Sequence, residues 1–270
     1  MRFEIQENPS VEDAILFAAA ALWTAQESGQ PCAPLRDSLA AHGVEAAYRV
    51  QELNIARRLN RTVRPVGRKI GLTSAAVQKQ LGVNEPDFGL LLSDMVVPDG
   101  GVMAAGAVLQ AKAEGEIAFV LDADLDMPAP TAADVLRATA FIMPAIEIVG
   151  SRIRNWDISL IDTVADNASS GMFVLGSPAR APIGFDFADC AMQMTFDGTP
   201  VSTGTGRACL GNPVNAVAWL AGRMHSLGAP LRAGEVILSG ALGPMAAPPP
   251  GATVEVSISG LGKATFALET

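Results

Sequence analysis

Residues 113–121 read Ala113-Glu114-Gly115-Glu116-Ile117-Ala118-Phe119-Val120-Leu121, and the alternation in this stretch sets how the rest of the chain is understood. As a strand it puts Ile117, Phe119 and Leu121 on one face and both glutamates on the other, roughly 7 Å apart along the chain. Two carboxylates so placed repel each other unless a cation sits between them. The plain alternative is a strand with one solvated face. A second stretch bears on that choice. In Pro144-Ala145-Ile146-Glu147-Ile148-Val149, Glu147 is the only charge inside an apolar, β-branched run. A lone ionised glutamate there would cost several kcal/mol, so it must be protonated, hydrogen-bonded or metal-bound.

Working outward, short apolar runs punctuated by Gly, Pro and Asp predict further strands at Val66–Leu72, Leu109–Leu121, Ile142–Val149, Gly171–Leu175, Met192–Phe196, Val236–Ser239 and Val254–Ile258. Asp197-Gly198 reads as a hairpin turn before Val201. Helices are expected over Ala14–Trp23, from about Val44 to Asn60, from Thr131 with a Thr131/Asp134 capping pair, and from about Pro213 to Leu227. Gly29–Gly43, with Pro31 and Pro34, reads as a connector. The fold class is α+β, with a small helical N-terminal part over residues 1–64 and a β-rich body over residues 65–270.

Composition narrows the chemistry. The 270 residues carry 28 acidic against 19 basic side chains, a formal net charge of −9, which leaves no basic stripe for nucleic acid. His42 and His225, with Cys32, Cys190 and Cys209, are too scattered for a Cys/His zinc site, so a bound metal would be held by oxygen. An odd number of widely spaced cysteines argues against a disulfide framework and for a reducing, cytoplasmic setting. The apolar Ala14–Trp23 run is flanked by Glu4, Glu7, Glu12 and Asp13 and is too short to cross a bilayer, so neither a signal peptide nor a membrane span is expected. Three carboxylates on neighbouring strands, with little imidazole or thiolate nearby, suit a hard ion such as Mg²⁺ or Mn²⁺.

Three other segments attract attention. Lys69, one of only four lysines, sits in a strand-like run ending at a helix cap at Thr73 or Ser74. It either points to solvent or lines a desolvated site, where a neighbouring metal would lower its pKa. Glu85-Pro86-Asp87-Phe88-Gly89 reads as a turn, with Asp87 free to cap backbone N–H groups or to enter a pocket. Asp162–Gly171 is a polar loop ahead of a strand. The glycines of Thr203–Gly206 do not open a helix after a strand and carry little weight as a nucleotide loop.

Taken together, GRKIGLTSAAVQKQLGVNEPDFG (67–89), AEGEIAFVLDADL (113–125), PAIEIVGSRIRNW (144–156), DTVADNASSG (162–171), CLGNPVNAVAWLA (209–221) and ILSGALGPM (237–245) resemble the 2-keto-4-pentenoate hydratases of the fumarylacetoacetate hydrolase superfamily. The resemblance runs from about Ala33 to near the C-terminus. It implies a β-rich mixed-sheet roll behind a helical N-terminal part. It further implies that Glu114, Glu116 and Glu147 hold Mg²⁺ or Mn²⁺, that Lys69 and Asp87 transfer protons, and that Ser169 lies near the substrate. The implied reaction is metal-dependent addition of water to 2-hydroxypenta-2,4-dienoate in meta-cleavage degradation of aromatic compounds, giving 4-hydroxy-2-oxopentanoate. The implied partners are that small anionic substrate and further copies of the chain, as pentamers or decamers, with association to a downstream aldolase or a decarboxylase.

Related activities compete with this reading. A 4-oxalocrotonate decarboxylase, or a hydratase of a longer dicarboxylic dienoate, would need a cation for the second carboxylate, for which Arg68, Arg152, Arg154 and Arg207 are the candidates. A C–C hydrolase would want a His–Glu pair to activate water, and neither histidine lies in such a motif. A non-catalytic partner subunit would be free to lose the glutamates and the lysine, which are all present.

Overall fold

The computed structural model describes residues 10–270; Glu4 and Glu7 of the acidic N-terminal flank lie outside the described residues. Helix α1 (Val11–Ser28) starts where the Ser10 hydroxyl accepts from the Asp13 N–H at 3.2 Å and stops at Gly29, whose φ of 70° few other residues tolerate. It buries Ala14, Ile15, Ala18, Ala19, Leu22 and Ala25. The connector carries a short helix α2 (Arg36–Leu39) and leads to α3 (Gly43–Arg58). These helices share an apolar cluster with Ile153, Val164 and Ala165, so the N-terminal part is cemented to the segment that follows the Glu147 strand. No helix among the described residues is long and apolar enough to cross a membrane.

Eleven strands follow in two sheets. The first comprises β1 (Pro65–Gly71), β2 (Asp87–Leu92), β4 (Lys112–Leu121), β5 (Thr139–Val149), β6 (Ser170–Leu175) and β9 (Val236–Leu238), in the order β2-β1-β9-β4-β5-β6. Only the β1–β9 pairing in it is parallel. The second sheet has the order β3-β11-β10-β7-β8, from β3 (Gly101–Met103), β7 (Ala191–Phe196), β8 (Thr199–Thr205), β10 (Thr253–Ile258) and β11 (Gly262–Leu268). The β7–β8 hairpin turns at Asp197-Gly198, both with positive φ, as that dipeptide suggests. Short helices α4 (Ala75–Leu81), α5 (Ala132–Ala138) and α6 (Leu160–Ala165), with the longer α7 (Pro213–Ser226), complete the α+β architecture.

The alternation in 113–121 has the consequence the sequence suggests. Ile117, Phe119 and Leu121 are fully buried in the core between the sheets, with Met192, Met194, Val254, Val256 and Phe266 opposite. Gly115 lies where the sheets approach closely, since a Cβ there would come within 2.9 Å of Met192 and Val256. The opposite face of β4 is thereby left to Glu114 and Glu116. On β5, Glu147 is paired directly with Glu114 in the antiparallel register, which puts all three carboxylates on one face of the sheet.

Several local expectations need correction. Asp87 opens a strand instead of turning the chain: it is buried and pairs with Gly71 of β1. The polar stretch 162–171 begins inside helix α6, whose Asp162 is fully buried. Ser74 occupies the cap position of α4 without making a side-chain cap hydrogen bond. Strands β3 and β11 were not anticipated. The Thr203–Gly206 glycines serve close packing, as a Cβ on Gly204 would fall 1.9 Å from the Leu242 carbonyl oxygen.

Candidate metal centre and active site

Glu114, Glu116 and Glu147 each offer an oxygen such that all three lie within 4.8 Å of one another. Glu116 and Glu147 are essentially inaccessible to solvent, and Glu114 opens on a cavity. Glu116 Oε2 accepts from the Gly240 N–H at 2.7 Å. Glu116 Oε1 and both Glu147 oxygens, though buried, complete no hydrogen bond. Buried carboxylate oxygens without donors are rare, because each forfeits its solvation for nothing. Burial raises the pKa of all three groups, and mutual repulsion adds to it for Glu114 and Glu116; Glu114 is pushed up to about 7. Three converging, donor-starved carboxylates form an all-oxygen set that fits a hard divalent cation.

Beside this cluster, Lys69 Nζ lies 3.2 Å from Glu147 Oε1 and donates to the Ala168 carbonyl at 2.9 Å. The side chain is buried, so it does not point to solvent. Burial by itself would lower its pKa, but Glu147, Asp87, Glu114 and Glu116 reverse that and hold it above the usual lysine range. Asp87 is buried on the neighbouring strand, one register step away, because Lys69 faces Gly89 and Gly71 faces Asp87. Burial raises the Asp87 pKa and the Lys69 charge opposes it. Thr163 donates to Asp87 Oδ2 at 3.4 Å and its hydroxyl lies 3.1 Å from Ser169 Oγ. Gly71 is what lets the two titratable groups meet: a Cβ there would fall 2.1 Å from Asp87 Oδ1 and 3.4 Å from Lys69 Nζ.

These groups line the inner end of a cavity of about 580 Å³, in the size range of small-molecule sites. Lys69, Asp87, Glu114, Thr163 and Ser169 make its polar end, while Leu72, Val77, Val149, Ile158 and Met245 make its walls apolar. Lys112 lies over the Trp156 ring, 4.3 Å from the centroid, and both line the cavity. Among the described residues no arginine lines it. Arg152 is bound to Asp166 and the Ser170 carbonyl, Arg207 to Asp189, and Arg68 lies by Glu235. All six residues singled out from the sequence therefore stand together. Thr163 and the Gly240 N–H were missed, although both lie inside motifs already quoted, Asp162–Gly171 and Ile237–Met245.

Residues 63–268 match the family model for the fumarylacetoacetate (FAA) hydrolase C-terminal region. The chain belongs to the fumarylacetoacetate hydrolase family. Within that family it is 53% identical over 253 residues to the 2-keto-4-pentenoate hydratase of Paraburkholderia xenovorans (strain LB400), covering 94% of each chain. It is 44% identical over 243 residues to the 2-hydroxyhexa-2,4-dienoate hydratase of Comamonas testosteroni, covering 89% of this chain and 92% of the relative. Among solved members, the 4-oxalocrotonate decarboxylase from Pseudomonas putida G7, complexed with magnesium and adipate, superposes with a TM-score of 0.90 at 31% identity, over 97% of this chain and 100% of that one. A family member of the same fold thus holds a divalent cation, in accord with the donor set found here.

Proposed function

We propose that this chain is a metal-dependent hydratase that adds water to 2-hydroxypenta-2,4-dienoate to give 4-hydroxy-2-oxopentanoate. The observation that carries the reading is the cluster of Glu114, Glu116 and Glu147, with buried oxygens lacking donors, at the polar end of a cavity that also holds Lys69 and Asp87. The three glutamates would hold Mg²⁺ or Mn²⁺, which when bound supplies Lewis-acid polarisation of the substrate's 2-oxygen and the positive charge an anionic acid needs.

The rest of the chemistry falls to the chain's own side chains. The 2-hydroxyl proton leaves oxygen and a proton is delivered to the terminal carbon, C5, giving an α,β-unsaturated ketone. Water then adds at C4 and a proton reaches C3. Lys69 and Asp87 are the groups for these transfers, buried beside each other where proton exchange does not compete with bulk water. Thr163 holds the Asp87 carboxyl and stands next to the Ser169 hydroxyl, which faces the same space. The apolar walls suit a dienoate whose far end carries no charge.

The 53% identity to a hydratase, with no guanidinium in the lining and Lys112 committed to the Trp156 ring, favours hydration over decarboxylation of a dicarboxylic substrate. Purified protein with Mg²⁺ or Mn²⁺, assayed side by side on 2-hydroxypentadienoate and 4-oxalocrotonate, tests it. Loss of dienol absorbance with the first and little CO₂ release from the second is the expected result. Rapid CO₂ release from 4-oxalocrotonate without hydration of the pentadienoate would overturn it.

A further inference from the structure

The loop Asp166–Ser170 is built unlike any other among the described residues. Asn167, Ala168 and Ser169 have φ values of 55°, 51° and 56°, three consecutive left-handed residues none of which is glycine. L-residues enter that region singly and reluctantly, because Cβ crowds the following carbonyl. Such a run persists only where its surroundings over-determine it. Two side chains do so. The Arg152 N–H and Nε both donate to the Asp166 carboxylate, and its Nη1 and Nη2 donate to the Ser170 carbonyl at 2.9 and 2.8 Å, so one guanidinium grips both ends of the loop. Asn167 accepts from the Leu90 N–H at 2.8 Å and donates to the Leu90 carbonyl at 3.0 Å, covering the outer edge of β2 in place of another strand. Gly89 makes room for this, since a Cβ there would fall 2.4 Å from the Asn167 carbonyl oxygen.

The strained residues face the site. Ala168 offers the carbonyl that receives Lys69 Nζ, and Ser169 offers the hydroxyl beside Thr163, which in turn bonds Asp87. Arg152 itself does not line the cavity and touches neither group. We infer that Arg152 is a positioning residue: by clamping Asp166 to Ser170 it holds the loop left-handed and so aims Lys69 and Asp87, with Asn167 fixing the same loop to the strand that carries Asp87. The kinetic part of this inference rests on the proposed hydration; the geometric part does not.

The test uses the full chain. In Arg152→Ala, kcat for 2-hydroxypentadienoate should fall about 10²-fold, the scale expected when reacting groups are displaced without being removed. KM and the Mn²⁺ dissociation constant should stay within about threefold of wild type, since the glutamates are untouched. Millimolar guanidinium should restore much of the loss by entering the small cavity that Arg152, Asp166 and Asn167 border, and should restore nothing in Lys69→Ala. Arg152→Lys should fall between, because an ammonium cannot span both loop ends. If Arg152→Ala does not fold, Asn167→Asp serves, with about tenfold lower kcat at unchanged KM expected from loss of its donor to Leu90. Wild-type kcat in these variants, or a loss that guanidinium leaves untouched while Tm falls, overturns the inference. A wild-type protein inert towards the dienoate defeats the hydratase reading instead. In that event a crystal structure of Arg152→Ala decides the geometry: Ala168 leaving the left-handed region and Lys69 losing its 2.9 Å bond is expected, and retention of both contradicts it.

Discussion

Two groups of buried acids, Asp162 and Asp166 in and beside helix α6 and Glu116 and Glu147 on strands β4 and β5, differ in how they are satisfied. Asp162 is fully buried, and its oxygens accept from the Leu35 and Arg36 N–H groups at 2.7 and 3.0 Å, from Ser159 N and Oγ at 2.8 Å, and from the Arg36 guanidinium at 3.2 Å. Asp166 is matched by Arg152. By contrast, Glu116 has one donor for two oxygens and Glu147 completes no hydrogen bond, although Lys69 is 3.2 Å away. The first group ties the N-terminal segment and Arg152 to helix α6 and the residue after it, with every carboxylate oxygen hydrogen-bonded. The second keeps its oxygens uncommitted at the end of a cavity. Burial alone does not separate a structural carboxylate from a functional one; the donors around it do.

The contrast fails if the two groups respond alike to substitution. The largest effect should be on activity: Glu147→Gln is expected to lower dienoate hydration by about 10³-fold or more, since the charge that holds the cation goes. Its metal-free thermal unfolding temperature should change little, because loss of the 3.2 Å ion pair with Lys69 is offset by relief of repulsion among the three clustered carboxylates. A large loss of stability in that variant would place Glu147 with the structural acids. Next, Lys69→Ala should reduce kcat by about 10²- to 10⁴-fold with a smaller change in KM. A loss confined to KM would assign Lys69 to substrate binding.

Asp162→Ala should show the reverse pattern, destabilising the protein by about 3 kcal/mol in denaturant unfolding through the backbone N–H groups and arginine it strands, while the residual folded enzyme keeps its KM. The pH dependence sharpens the contrast further. Glu114, pushed from 4.5 to about 7 by burial and then by Glu147, favours the folded state when protonated. That contribution is complete below pH 4.5 and is lost as pH rises through about 7. Metal-free wild type should therefore lose stability relative to Glu114→Gln between pH 5 and pH 8, followed by thermal melts at each pH. A constant difference would contradict it. The smallest effect is expected at the exposed Arg207–Asp189 pair, where Arg207→Ala should leave both the unfolding temperature and KM essentially unchanged. A raised KM there would bring an arginine into the site after all.

How much of this was legible in the sequence depends on where each signal lies. Strands β4 and β5 announce themselves by alternation, and their three glutamates stand out because nothing polar surrounds them. Strand β2 was hidden because Glu85-Pro86 and Gly89 are turn residues, and Gly89 is glycine for a tertiary reason, the loop resting on it. Helix α6 was hidden because the aspartate that makes it look like surface loop is the one that caps a distant backbone segment. Arg152 was visible only as a possible anion binder, and its real partner, Asp166, is fourteen residues away across a loop and helix α6. Contacts of that kind have no period to read.

The central claim is that Glu114, Glu116 and Glu147 hold a divalent cation needed for hydration. It is tested most directly by following dienol absorbance of 2-hydroxypentadienoate with chelator-treated wild-type protein, before and after Mg²⁺ or Mn²⁺ is added. Loss of turnover on chelation and recovery on addition is the result expected here. Undiminished turnover in excess chelator would contradict it.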